Sequence, residues 1–476
     1  MQRRVFASSG PEFDQIRREL DVTDQFPADV AAQARAVTDR LPEGRADRTD
    51  VELVTIDPPT SKDLDQALHI EATDDGFTVH YAIADVAALV EPGGAIDVES
   101  RRRGQTIYFP DGSVPLHPRP LSEGAGSLLP DQVRPAVLWT VSVDHDGDPT
   151  SVHVERATVR SRARFDYAGV MADHDAERLH PSIAALPSFG QTRIDWALRR
   201  GAVQLDLPDQ EIVPHEGGRA WTLRIAPHTQ ADQWNAQVSL LIGMAAGHMQ
   251  RDAGVGLLRT LPPASREAVG DLRTAAAHLR VDWPDGASPG EFLASLAPDA
   301  PTTLALMTVG ARLMRGAGYL CLDAASTGLD DAAVAHAGVG GVYSHVTAPL
   351  RRLADRFATE TCLAIAAGQE PPAWVLDALP TLPKIMASSD ATASAAERRS
   401  VEATEAVVLA DQIGARFDAV VMRDGHGDKP AEVFIASPAI IGACDDAPAA
   451  GSQCTVEVIE ADPAVRFRAV GERVGV

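Results

Sequence analysis

Three aspartates and a glutamine lie within ten positions of one another, and this crowding constrains any fold of the chain. The residues are Asp57, Asp63, Asp65 and Gln66. Oxygen ligands this close repel one another unless a cation lies among them, and Mg²⁺ or Mn²⁺ prefers carboxylate and carbonyl oxygens. Prolines and small polar residues between them predict a loop, and the β-branched segment 51–56 predicts a strand leading into it. The pattern indicates either a metal site at a strand end or a solvated acidic turn.

Further sequence blocks follow this loop in a recognisable order. The loop itself reads TIDPPTSKDLDQAL, and the later blocks are HYAIADV (80–86), RRRGQTIYFP (101–110), YSHVTAPLRRLAD (343–355) and AAER (395–398). Together they resemble the RNase II/RNase R (RNB) family of exoribonucleases, over roughly residues 50 to 410. The shared order of several blocks, rather than any single block, carries the resemblance.

The resemblance implies how the acidic loop is used. Asp57, Asp63, Asp65 and Gln66 fall at the family's metal-ligand positions, and Asp65 falls where the family positions the attacking water. The large family enzymes have an aspartate where this chain has Gln66. A glutamine carbonyl can still bind Mg²⁺, but it removes one negative charge, so we expect weaker metal affinity or an ion that arrives with the RNA.

Arg351 matches a family arginine that stabilises the scissile phosphate. It follows Pro349, which suits the first position of a helix, so we expect a helix N-terminus that also faces anions. The simpler alternative is an ion pair between Arg351 and Asp355 on a solvated helix, which contributes only tenths of a kcal/mol.

The resemblance also implies contacts to RNA. The residues at the matching positions are Tyr108, Tyr167, His345, Arg352 and Glu397. An aromatic ring that stacks on a base favours an unpaired strand, but both tyrosines also fit core packing. His345 fits a structural role and Glu397 a solvated helix. Where the family carries a carboxylate that contacts the terminal nucleotide, in the helix near Trp234, this chain has Asn235.

The expected architecture is α+β. We expect an RNB-type catalytic domain, with a mixed sheet and surrounding helices, plus a small C-terminal β-barrel of the S1/OB type. The predicted boundaries are a short helical region at 1–48, the catalytic domain at 49–415 and the barrel at 416–476. Periodicity predicts two short helices in the first region, mainly strands from about 51 to 160 and mainly helices from about 185 to 415. In the barrel it predicts strands at 418–421, 432–435, 455–459 and 466–470. Residues 1–48 leave no room for the two cold-shock barrels of the large family members, so the resemblance is to a short form.

Composition limits the classes of partner. The net charge of −24 argues against a protein that coats nucleic acid, but it permits a local basic channel. No apolar run is long enough to cross a membrane. Cys321, Cys362, Cys444 and Cys454 have no CxxC spacing and predict buried thiols in a reducing cytoplasm.

The family resemblance thus predicts an Mg²⁺-dependent 3′→5′ exoribonuclease that degrades single-stranded RNA to nucleoside 5′-monophosphates. The residues alone support a metal-dependent phosphodiesterase. Two alternatives remain at this stage. One is a protein that binds RNA 3′ ends but cleaves poorly because of Gln66, and the other is a two-metal phosphodiesterase that acts on DNA or a small nucleotide.

Overall fold

The computed structural model describes residues 12–472, except 204, 206, 208–209, 215–220, 227, 298–299, 324–327, 428 and 463. The first eleven residues of the predicted helical region therefore lie outside the described part. The larger part of the chain combines one mixed sheet with surrounding helices, as expected for an α+β protein. Its helices are α1 (Phe13–Glu19), α2 (Ala28–Arg35), α3 (Val86–Leu89), α4 (Ala95–Arg103), α5 (Tyr167–Asp175), α6 (Leu186–Arg199), α7 (Gln230–Ala253), α8 (Arg266–His278), α9 (Pro289–Ala294), α10 (Pro301–Gly310), α11 (Asp331–Val334), α12 (Leu353–Ala366), α13 (Ala373–Leu376) and α14 (Leu382–Leu409).

The strands fall into a central sheet, several short hairpins and a separate barrel. They are β1 (Ala46–Asp47), β2 (Leu53–Ile56), β3 (Gln66–Thr73), β4 (Gly76–Ala84), β5 (Ile107–Phe109), β6 (Gly112–Val114), β7 (Val133–Asp144), β8 (Pro149–Phe165), β9 (Gln210–Pro214), β10 (Trp221–Ile225), β11 (Gly256–Thr260), β12 (Gly318–Leu322), β13 (Ala335–His336), β14 (Gly341–Val342), β15 (Arg416–Arg423), β16 (Ala431–Ala436), β17 (Ala439–Asp445), β18 (Gln453–Glu460) and β19 (Arg466–Glu472).

The central sheet has the strand order β1-β8-β2-β3-β4-β7. β8 pairs in parallel with β2 and antiparallel with β7, so this one long strand joins both ends of the sheet. All four residues of β2 are buried, as expected for a strand that is covered on both faces. The sheet therefore presents the loop after β2 at a position where several strands converge.

Helices α6, α7 and α12 cover the sheet. The main core joins sheet residues such as Trp139 to Phe189 of α6, Trp234 of α7 and Cys362 of α12. α7 begins with a capping box in which the Thr229 and Asp232 side chains bond each other's backbone N–H groups. These helices therefore support the sheet from which the acidic loop of the candidate site projects.

The C-terminal segment forms a closed five-stranded barrel in the order β15-β16-β17-β19-β18, which confirms the predicted small barrel. The sequence patterns marked four of its strands and missed β17. The barrel core continues into Val408 and Leu409 at the end of α14 and into Leu223 of β10. The barrel is thus packed on the same long helix that carries Glu397.

The two short helices expected before residue 48 are present as α1 and α2. Cys362, Cys444 and Cys454 are buried as predicted, whereas Cys321 is only half-buried because it lies on the small two-stranded sheet of β11 and β12. Among the described residues, no helix combines the length and the apolar character that a membrane span requires.

Candidate active site

The acidic loop connects β2 to β3 and is held at both ends by backbone hydrogen bonds. The Asp57 N–H donates to the Phe165 carbonyl at 3.0 Å, which extends the pairing of β2 with β8 by one residue. At the other end, the Asp65 carbonyl accepts from the Ala84 N–H at 3.0 Å. The loop is therefore placed by the sheet and is not a free surface turn.

Burial dominates the electrostatics of the three aspartates. Burial, opposed by the charge of Arg164 and reinforced by that of Asp63, raises the pKa of Asp57 to about 6. Burial also raises the pKa of Asp63. Asp65 is 2% exposed, and burial raises its pKa well above the usual range, with a further contribution from Asp63. Asp63 thus makes Asp57 and Asp65 harder to ionise, and the burial of these carboxylates excludes the alternative of a solvated acidic turn.

These residues fit a hard divalent cation. Among the described residues, no group of three or more His, Cys, Asp or Glu side chains is already arranged around a metal position. However, Asp57 Oδ2 is buried and has no hydrogen-bond partner among the described residues. Asp57, Asp63 and Asp65 offer only oxygen, and a cation among them would offset both their burial and their mutual repulsion.

Gln66, the fourth predicted ligand, begins β3 and connects the loop to a distant segment. Its Nε2 donates to the Thr347 carbonyl at 2.5 Å. The amide nitrogen is therefore engaged by the backbone before α12. Metal ligation by the Gln66 oxygen stays a prediction.

Asp65 joins the acidic loop to the Arg351 segment directly. Its Oδ1 accepts from the Leu350 N–H at 2.7 Å, and its Oδ2 lies 3.7 Å from Arg351 Nε. The Arg351 side chain is 44% exposed, so part of its guanidinium remains free to donate to a ligand. Two sequence blocks 285 positions apart are thus brought together at one carboxylate.

The start of the helix after this segment differs from the sequence prediction. α12 begins at Leu353 with Arg352 at its N-cap, so Pro349 is not a first helical residue and Arg351 precedes the helix. The predicted alternative for Arg351, an ion pair with Asp355, is also wrong. It is Arg352 that pairs with Asp355, through two hydrogen bonds of 2.8 Å. Asp355 also accepts from the Ala348 N–H at 2.7 Å, which holds residues 348–352 in a turn.

A cavity of about 840 Å³ opens beside Arg351. It runs between the β5–β6 hairpin, α14 and the segment before α12. Its wall contains five of the predicted site residues, namely Tyr108, His345, Arg351, Arg352 and Glu397. Predicted site residues from three separate blocks therefore surround one space, whereas Tyr167 is not part of its wall.

Tyr108 projects into this space. Its side chain is 55% exposed, whereas Ile107 and Phe109 on either side of it are buried. This alternation follows from the strand period, which turns successive side chains to opposite faces. Core packing of Tyr108 is therefore excluded, and the ring is free to stack.

His345 and Arg352 are engaged by other protein groups. His345 Nδ1 lies 2.7 Å from the hydroxyl of Tyr319, and burial lowers the pKa of His345 well below its usual range. A neutral histidine in this wall can accept or donate one hydrogen bond but adds no charge. Arg352 is held by Asp355, so Arg351 is the more available cation.

Tyr167 lies on the other side of the acidic loop, at the start of α5. It is half-buried, and its hydroxyl accepts from Asn235 Nδ2 at 3.5 Å. Asn235 Oδ1 is buried without a hydrogen-bond partner among the described residues. Tyr167 and Asn235 thus form a polar pair next to Asp57, with one unsatisfied acceptor.

Sequence reasoning missed several residues of the cavity wall, among them Arg259, Tyr319 and Asp390. Arg259 lies with its guanidinium 4.7 Å from the centre of the Tyr319 ring and 3.1 Å from Asp390. None of the three belongs to a recognised block. One signal was available: the chain has only five tyrosines, and all of them lie in or next to the site. They are Tyr81, Tyr108, Tyr167, Tyr319 and Tyr343.

Comparisons with known proteins identify the domains of this chain. The model of the RNB domain matches residues 45–362, and the model of the RNase II-type exonuclease C-terminal S1 domain matches residues 415–470. Ribonuclease R of Escherichia coli (strain K12) is 27% identical over 443 residues, which cover 87% of this chain and 53% of that protein. The chain spans about half the length of the curated relatives that it matches first.

Solved structures show the same fold. The structure of Mycoplasma genitalium RNase R in complex with ribose methylated single-stranded RNA has a TM-score of 0.85 at 19% identity, over 96% of this chain and 77% of that chain. The structure of yeast Ssd1, a pseudonuclease, has a TM-score of 0.70 at 14% identity, over 90% of this chain and 55% of that chain. Because the RNB-domain model alone matches well over half of the residues, this chain belongs to the RNase II/RNase R (RNB) family.

Proposed function

We propose that this protein hydrolyses single-stranded RNA from its 3′ end and releases nucleoside 5′-monophosphates, with Mg²⁺ as the bound cation and Mn²⁺ as an alternative. The observation that carries the proposal is the contact between buried Asp65 and half-exposed Arg351 at the wall of a large cavity. The same wall presents Tyr108 as an exposed ring.

Different residues of the chain have different proposed roles in binding and cleavage. Asp57, Asp63 and Asp65 would hold the cation, which when bound neutralises phosphate charge and lowers the pKa of water. Arg351 donates to the phosphate, and Asp65 orients Arg351 through the contact at 3.7 Å. Stacking of Tyr108 on a base contributes about 1–3 kcal/mol and requires an unpaired strand. The cavity thereby favours single-stranded RNA.

A second candidate is a protein that binds RNA 3′ ends and cleaves them poorly or not at all. Two observations support it. Gln66 supplies no negative charge, and its amide is bonded to Thr347. The fold is also shared with a protein described as a pseudonuclease.

Incubation of a 5′-labelled single-stranded RNA with the purified protein and Mg²⁺ or Mn²⁺ separates these candidates. We expect a ladder that shortens from the 3′ end, with nucleoside 5′-monophosphates as products. We expect Asp65→Asn to abolish product release while RNA binding remains. Asp282→Asn, the same change at an exposed position outside the cavity wall, should cleave like the wild type.

Three results would contradict the main proposal. Internal cuts would exclude an exonuclease, and tight binding without mononucleotide release, unaffected by Asp65→Asn, would support the binding protein. Equal cleavage of a DNA oligonucleotide of the same sequence would support a more general phosphodiesterase. A titration of Mg²⁺ should show weak affinity if Gln66 contributes less than an aspartate would.

A further inference from the structure

The first described helix of the chain lies against the hairpin that carries Tyr108. Arg17 of α1 makes a bidentate ion pair with Asp111, which lies in the turn between β5 and β6, and one of its two hydrogen bonds measures 2.9 Å. The same guanidinium lies 4.3 Å from the centre of the Phe109 ring. Because the guanidinium is planar and donates two parallel hydrogen bonds to the carboxylate, it fixes the orientation of Asp111 as well as its distance. Arg17 therefore holds both the turn and one strand of the hairpin.

Apolar packing supports the same contact. Phe13 and Ile16 of α1 are buried in one cluster with residues of the hairpin and of α14. The hairpin contributes the side chains on either side of Tyr108, which are Ile107 and Phe109. Arg399 of α14 pairs with Glu19 at the end of α1 at 3.0 Å. The helix, the hairpin and α14 thus form one packed unit at the rim of the cavity.

The hairpin needs such support because it is very small. Each strand has three residues, and an isolated two-stranded hairpin is marginally stable at best in water. α1 packs on the face of the hairpin opposite Tyr108, so it constrains the backbone and leaves the ring exposed. A rigid, exposed ring loses less conformational freedom on stacking than a mobile one.

We propose that Arg17 is a positioning residue for RNA, which acts through the β5–β6 hairpin to hold Tyr108 in the orientation that stacks on an unpaired base. This proposal rests on the proposed function, because it assumes that RNA occupies the cavity. Arg17 acts on binding and not on the chemical step, since it contacts neither the acidic loop nor Arg351 among the described contacts.

A double-mutant cycle between Arg17→Gln and Tyr108→Ala tests the proposal. Affinity for a 5′-fluorescein single-stranded RNA is measured by anisotropy in the Asp65→Asn background, and KM and kcat are measured separately in the active protein. We expect Tyr108→Ala to weaken binding by about tenfold, within the range for one base stack, and Arg17→Gln by several fold. The double variant should bind no worse than Tyr108→Ala alone, and kcat should change less than twofold.

Controls distinguish positioning from general stability. Arg312→Gln removes another tertiary arginine–aspartate pair, with Asp271, and should leave RNA affinity unchanged. Arg17→Lys keeps the positive charge but loses the bidentate guanidinium geometry, so this variant should lose part of the affinity for RNA. If Arg17→Gln does not fold, Arg17→Lys replaces it in the double-mutant cycle. Losses that multiply in the double variant, or an Arg17→Gln protein that binds normally while the wild type releases nucleotides, would overturn this proposal alone. A wild type that releases no nucleotide would overturn the proposed function and leave the cycle readable.

Discussion

At the scale of single residues, burial makes Asp65 and Arg351 depend on each other. A carboxylate that is 2% exposed is costly to ionise unless positive charge or N–H groups surround it. The Leu350 N–H and Arg351 both lower the pKa of Asp65 against the effect of burial. Arg351 keeps its other side towards the cavity. Arg351 therefore stabilises the ionised form of Asp65 and can still donate hydrogen bonds to a phosphate in the cavity.

We predict that Arg351→Gln lowers kcat for single-stranded RNA by about 100- to 1000-fold, because a positioned donor to the transition state is lost. The melting temperature should fall only modestly, since the Leu350 N–H still donates to Asp65 and a half-exposed ion pair at 3.7 Å contributes little. Arg48→Gln is the matched control: Arg48 is also 44% exposed and is paired with Glu155 at 2.8 Å. Equal loss of activity in both variants would contradict the role of Arg351.

At the scale of elements, glycines set the distance at which α7 lies from the segment before α12. A Cβ on Gly247 would lie 2.8 Å from the backbone nitrogen of Tyr343, closer than real contacts allow. A Cβ on Gly270, in α8, would meet nothing within 4 Å. The two helical glycines therefore have different reasons to be glycine, although the sequence alone does not distinguish them.

We predict that Gly247→Ala lowers the free energy of unfolding by about 1–3 kcal/mol through overpacking. Gly270→Ala should raise it by about 0.5–1 kcal/mol, because alanine restricts the unfolded chain and suits a helix. Urea denaturation of both variants against the wild type measures the difference. A shift in the same direction for both would show that backbone crowding at Tyr343 is not limiting.

Glu405 lies on α14 where this helix packs against the barrel, and its protonation makes the stability of the protein depend on pH. Burial raises the pKa of Glu405 to about 7, and its carboxylate accepts from Gln210 at 2.8 Å. The folded state therefore retains a proton that the unfolded state releases near pH 4.5. By linkage, the stabilising contribution is complete below that pH and is lost as pH rises through about 7.

We predict that Glu405→Gln, which stays neutral, matches the wild type in stability at pH 4.5. At pH 8 the variant should be more stable by up to about 3 kcal/mol, because each unit of pKa shift corresponds to about 1.4 kcal/mol. Thermal melts at the two pH values measure the difference. Equal stability of the two proteins at both pH values would exclude an effect of this carboxyl.

The sequence predicted helices and strands whose residue pattern is local. It missed features that depend on contacts between residues far apart in the chain. The helix-rich and strand-rich regions and the barrel were predicted from periodicity. The start of α12 was not, because Pro349 suits a helix start, but the flanking Ala348 and Leu350 donate their backbone N–H groups to Asp355 and Asp65 instead. β17 was missed because its apolar residues lack a clear alternation. Arg259 and Tyr319 were missed because no recognised block contains them.

At the scale of the whole molecule, the excess of acidic residues affects the electrostatic attraction between the protein and the RNA that it is proposed to bind. The net charge is −24, yet the cavity wall carries Arg259, Arg351 and Arg352. On the proposed function, long-range attraction to RNA is therefore weak, and binding depends on a few phosphates in the cavity. Arginine clusters elsewhere, such as Arg101–Arg103, are largely engaged by Asp97 and Glu99.

We predict a shallow salt dependence of RNA binding. Contact with three phosphates gives a slope of about −2 for the logarithm of affinity against the logarithm of salt concentration. Arg351→Gln should reduce the slope by about 0.7, whereas Arg48→Gln should leave it unchanged. Anisotropy titrations of single-stranded RNA across a range of KCl concentrations measure both. A slope several times steeper would place RNA on a wider surface than this cavity.

The contact between Asp65 and Leu350 also bears on when the protein can begin to act. A ribosome must translate 285 residues after the aspartate before its partner exists. Throughout that interval, the nascent chain would carry the carboxylates without the guanidinium that is proposed to engage phosphate. On the proposed function, a chain assembled in this order could not attack the messenger that encodes it until the segment around Arg351 had left the ribosome.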